Sequence, residues 1–143
     1  MIGKGIVLLF LAIAAIWDIK KKAVPKNYLC VVGVVAVIYL GLDIMSGKSL
    51  IDGILALIPG YIIVFLCVVS GEQIGLGDGL ILLCVGCFQN IRDTLCMIFI
   101  SFVILTLVSM FLLISRRVGR KSTIPFVPFL FCGQLITIVE GFL

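Results

Sequence analysis

Six apolar runs separated by short polar stretches account for almost the whole chain, at about residues 2–17, 28–42, 51–69, 79–88, 94–114 and 124–143. Crossing the hydrocarbon core of a bilayer takes about 20 helical residues. Five of the runs approach or reach that length and predict spanning helices. The fourth, 79–88, is too short for a free span and reads as a half-span or a tilted helix buried against protein. The first is slightly short, with Lys4 placed to snorkel and Trp17 where an interfacial aromatic belongs. Pro59-Gly60 inside the third run marks a point where that helix can kink. There is no internal repeat and no low-complexity linker, so the expectation is one all-α, polytopic membrane domain over 1–143, with six transmembrane helices.

Composition strengthens that reading. Hydrophobic residues make up 63% of the chain and charged residues 13%, with a mean hydropathy of +1.39. A soluble domain carries roughly 25% charged residues. Too little polar surface is available to cover a water-exposed globule, and the lipid bilayer is the expected partner over most of the surface. The net charge of +4 comes from residues at the ends of apolar runs. That is a membrane-orientation pattern, and no basic face with interleaved aromatics suggests nucleic acid.

The charge distribution also predicts a topology. With six spans, the first, third and fifth connections share one side. They hold Lys20, Lys21, Lys22, Lys26, Arg116, Arg117, Arg120 and Lys121, against Lys4, Lys48 and Arg92 on the other. The positive-inside bias places the first group in the cytosol of a cell membrane and both termini outside. The count works only if 79–88 is a span. Lys4, the first apolar run and Ala12-Ile13-Ala14 superficially resemble a secretory signal. Ile16, Trp17 and Asp18 read better as a helix reaching the interface, so the first span is expected to stay uncleaved.

The absence of histidine removes Ser-His and Cys-His hydrolases and His-ligated zinc enzymes. Cys84 and Cys87 form a CxxC, but no second pair completes a zinc site. Two small apolar residues on one helix face are the plainer account. No metal and no cofactor are expected.

Seven acids remain, and a carboxylate in or near a membrane needs a reason. Asp43, Asp52 and Asp93 fall in short outer turns, Glu140 near the C-terminus and Glu72 in the third connection. Asp18 and Asp78 differ. One closes the first span and the other opens the fourth, so the topology puts both at the same depth on the cytosolic side. Two carboxylates held close in a weakly polar site tend to share a proton. One can then act as base toward water while the other polarises a peptide carbonyl. Two unrelated interfacial aspartates capping their helices are the competing account. Gly75-Leu76-Gly77-Asp78 weighs toward chemistry, because glycines let an extended substrate approach.

Three segments resemble the type IV prepilin peptidases, the GxGD membrane aspartyl proteases. They are Asp18-Ile19-Lys20-Lys21-Lys22-Ala23-Val24-Pro25, then Gly71-Glu72-Gln73-Ile74-Gly75-Leu76-Gly77-Asp78, then Ile124-Pro125-Phe126-Val127-Pro128-Phe129 with Gly133. The resemblance implies a catalytic pair of Asp18 and Asp78. Gly75, Gly77, Glu72, Pro25, Pro125 and Pro128 are the motif residues around the approaching substrate. It also implies prepilin-like precursors as partners, each with a basic leader and an apolar helix, cut at the cytosolic membrane face. The chain departs from the family pattern at Lys26, Leu80 and Val127, which bears on substrate preference. Only a few polar residues join the first two spans, where long members carry a paired-CxxC insert. The short form therefore implies cleavage without N-methylation, as in the stand-alone peptidases of tight-adherence pili or pseudopilin systems. A proton-coupled small transporter and a non-catalytic pilus or secretion subunit are the alternatives.

Overall fold

The computed structural model describes residues 2–21, 24–70, 76–115 and 124–141. Among them are six α-helices: α1 (Ile2–Lys21), α2 (Lys26–Met45), α3 (Leu50–Val69), α4 (Leu76–Phe88), α5 (Ile91–Ile114) and α6 (Val127–Glu140). Each apolar run thus becomes a helix. α1 continues past Trp17, so Asp18 lies within its last turn, where Lys20 and Lys21 complement the helix dipole. α3 runs through Pro59 as one helix. α6 begins after Pro125, with Pro128 in its first turn, and is shorter than expected.

Four helices, α1, α2, α3 and α5, are long and apolar enough to cross a membrane. α4 has 13 residues and α6 has 14. At 1.5 Å per residue each is about 20 Å long, some 10 Å less than a hydrocarbon core. The two classes differ in surroundings. α2 buries only Leu29 and Ala36, and α5 only Thr94, Met97 and Ser101. Their remaining faces expose residues such as Val34, Ile38, Phe99 and Leu107, as expected of helices solvated by lipid. α4 buries eight of its 13 residues. It packs chiefly on α3 and α2 and also touches α1 and α5, while α6 lies against α5 and α1. The short fourth run is therefore short because protein, not lipid, surrounds it.

Close helix approach uses missing side chains. A Cβ on Gly60 of α3 would stand 2.6 Å from the Leu83 backbone nitrogen, and one on Gly79 of α4 would stand 2.6 Å from Val64. Gly86 meets the backbone of Ala56. These contacts set α3 and α4 antiparallel, with small residues at the seam, as membrane helices pack when hydrophobic burial cannot drive association. Gly3 makes the same kind of contact with Phe88, and Gly133 with Met97 and Ser101.

Candidate active site

Asp18 is buried, with 7% of its surface exposed. It would be isolated among the apolar side chains of α1 but for α6. The backbone N–H of Val127 donates to Asp18 Oδ2 at 3.1 Å. Val127 is the first residue of α6, and the first N–H groups of a helix have no partner within it. An aspartate from another helix supplies one and meets the positive end of the dipole. Pro128 next to it brings no N–H. Phe126, just before α6, packs on Phe102 of α5 with ring centroids 5.5 Å apart, which anchors the start of the helix.

Asp78 is half-buried in the first turn of α4. The α3–α4 register puts it level with about Phe65, roughly 6 Å from the end of α3 at Val69. The fold thus gathers the two carboxylates at one end of the helices, from chain positions sixty residues apart. Among the described residues neither forms a salt bridge. Gly77 leaves the approach to Asp78 open, since a Cβ there would meet nothing within 4 Å.

The remaining motif residues divide. Pro25 is the N-cap of α2, in extended conformation, and its carbonyl accepts from the N–H groups of Tyr28 and Leu29 at 3.0 and 3.2 Å. Tyr28 then donates its hydroxyl to the Phe10 carbonyl at 3.0 Å, and the two rings stack 5.7 Å apart. Pro25 therefore helps fix α2 against α1. Pro125 precedes α6 and Pro128 lies in its first turn, so both define where that helix begins. Glu72 and Gly75 lie outside the described residues. Sequence reasoning missed the Val127 N–H, which carries no side-chain signal. The proline segment beside it was the available clue.

The far end of the bundle has another polar group. Lys4 pairs with Asp93 at 3.0 Å and Lys48 with Asp43 at 3.2 Å. Gln134 Nε2 donates to Gln89 Oε1 at 3.3 Å and to the Lys4 carbonyl at 3.4 Å. Gln89 Nε2 and Gln134 Oε1 are buried without partners.

Long apolar helices whose charged side chains sit near their ends define a multi-pass membrane protein, with Asp18 and Asp78 at the same end of the bundle. The type IV leader peptidase family model matches residues 5–110, most of the chain and both aspartates. The chain belongs to this family, and is a protease of the leader peptidase type. No curated protein and no solved structure matches it. The match ends before α6, yet Val127 of α6 is what holds Asp18.

Proposed function

We propose that Asp18 and Asp78 are an aspartyl dyad that removes the basic leader from prepilin-like precursors at the cytosolic membrane face. The observation that carries this reading is that α1 and α4 bring two carboxylates to one end of the bundle, with no ion-pair partner for either among the described residues. Such a pair retains one proton. In this reading Asp78 is the proton donor. Asp18, oriented by the Val127 N–H, is the base. A water between them loses a proton to Asp18 and attacks the peptide carbonyl carbon, while Asp78 gives its proton to the carbonyl oxygen. The tetrahedral diol collapses as Asp18 passes its proton to the leaving nitrogen and a diol hydroxyl returns one to Asp78. One peptide bond and one water are consumed, and both carboxyl groups return to their starting states.

Six spans, with α4 and α6 crossing in the company of their neighbours, keep the basic connections on the cytosolic side. A basic leader with an apolar helix behind it would then present its junction at the depth of Asp18 and Asp78. Glu72 lies in the connection before α4 and could draw in the leader's charge. Pseudopilins or the precursors of tight-adherence pili suit the short form, and cleavage without methylation follows from the few residues between α1 and α2.

The hydrogen bond from Val127 to Asp18 also supports a purely structural role for Asp18, and substitutions separate the two. Asn keeps an oxygen for the Val127 N–H, whereas Leu removes it. Co-expression with a candidate precursor, followed by gel mobility, is expected to show cleavage by the native chain and none by Asp18→Asn or Asp78→Asn at normal membrane levels. Cleavage that survives either Asn variant would refute the dyad.

A further inference from the structure

An apolar groove of about 630 Å³ lies between α2, α3 and α4. Its walls include Cys30, Gly33 and Ala36 of α2, Leu57 and Tyr61 of α3, and Gly77 of α4. Among the described residues Lys26 is its one charged wall residue, at the end where Leu76 and Gly77 lead to Asp78. From Lys26 to Val37 the groove follows α2 for three turns, about 16 Å, or half a hydrocarbon core.

We propose that this groove receives the first three turns of the precursor's own apolar helix, beginning at the bond that is cut. The proposal rests on the peptidase reading and gives it a docking surface. Three observations favour a helix as the occupant. The groove is continuous with the site, because Gly77 belongs to its wall and precedes Asp78 in the chain. Its length ends in mid-membrane, so it can hold the part of a spanning helix nearest the cut while the rest remains in lipid. Its floor carries glycine and alanine, which let a second backbone come close, a need that a lipid acyl chain does not have. Gly33 and Gly77 differ from the glycines of the α3–α4 seam, since a Cβ on either meets nothing within 4 Å. Both therefore leave room beside the backbone along the groove.

Gly33→Phe places a ring in the groove from a position where a Cβ itself meets nothing within 4 Å. Gly41→Phe, on the same helix and equally open but outside the groove, is the control. With a precursor that the native chain cuts, Gly33→Phe is expected to slow cleavage about tenfold or more, because small displacements of a reacting bond have large kinetic consequences. Gly41→Phe should cleave at the native rate, and both variants should reach native membrane levels. In a second arm, single cysteines are placed along the precursor helix and oxidised with copper phenanthroline in the Asp78→Asn background. Exposed Cys30 should form a disulfide with positions in the first three turns after the junction and not with later ones, while exposed Cys132 on α6 should form none. Cys30→Ser should abolish the product. Native-rate cleavage by Gly33→Phe, or disulfides to Cys132 instead of Cys30, would overturn the groove while leaving the peptidase reading intact. Failure of the native chain to cut any precursor would overturn the reading beneath it.

Discussion

The two ends of the helical bundle treat their carboxylates in opposite ways. At one end Asp93 and Asp43 each lie against a lysine, Lys4 and Lys48, and the nearby glutamines bond to each other. At the other, neither Asp18 nor Asp78 has an ion-pair partner among the described residues, and the Val127 N–H donates to Asp18 Oδ2. Neutralised acids tie helix ends together and have little left to react with. Like-charged acids are costly to hold together and survive only where the rest of the fold forces them to meet. That cost is itself a sign of function.

The contrast can be broken most severely at the acidic end. Asp78→Asn or Asp18→Asn should lower cleavage by about 10²- to 10⁴-fold, the usual share of acid–base assistance, with thermal stability in detergent preserved. Asp18→Leu should in addition destabilise the start of α6, read as faster proteolysis near Val127. Equal stability of the Leu and Asn variants would show that the Val127 hydrogen bond is dispensable.

Next in size is the seam that delivers Asp78. Gly60→Ala drives a methyl into the Leu83 backbone and should cost about 1–3 kcal/mol in a detergent unfolding experiment. Activity should fall with it, because α4 carries Asp78. Gly33→Ala, in open space, should change neither stability nor fold.

The far end should respond with stability alone. Gln89→Leu strands Gln134 and is expected to cost about 1–3 kcal/mol, whereas Gln89→Leu combined with Gln134→Leu removes both half-satisfied amides and should be nearly neutral. A double variant less stable than either single one would mean that the amides are better satisfied than their geometry indicates. Asp93→Asn loses one partly exposed ion pair, worth at most about 1 kcal/mol, and should leave cleavage untouched.

The pH response sharpens the comparison further. A dyad that must hold one proton gives a bell-shaped rate profile whose apparent pKa values belong to the pair. Rate measurements across pH should show both limbs in the native chain and in Asp93→Asn. A single limb would point to one working carboxylate.

Much of the architecture is legible in the pattern of residues alone. Apolar runs of about 20 residues and a low charged fraction name the bilayer as solvent, because unpaired backbone polar groups are not tolerated there and helices pair their own. Six helices then follow from six runs, and two aspartates at run boundaries stand out against five acids with ordinary positions. The run at 79–88 is ambiguous for a physical reason. Length measures a helix against lipid, but α4 is measured against α1, α2, α3 and α5, which cover it. The α6 boundary escapes the pattern for a related reason: its hydropathy continues back through Pro125, while its backbone geometry starts at Val127.

By itself the sequence determined the solvent, the number of helices and the residue types available for chemistry, because each depends on local composition alone. Tertiary structure alone decided that α4 is the protein-wrapped helix and that glycines at 60, 79 and 86 draw it against α3. It also brought the N-terminus of α6 across to Asp18, and left Gly33 and Gly77 open on the groove between α2, α3 and α4. A one-dimensional pattern records which residues prefer lipid or water. Which backbone comes close enough to donate a hydrogen bond, and where no neighbour arrives, depends on how the helices fill space together.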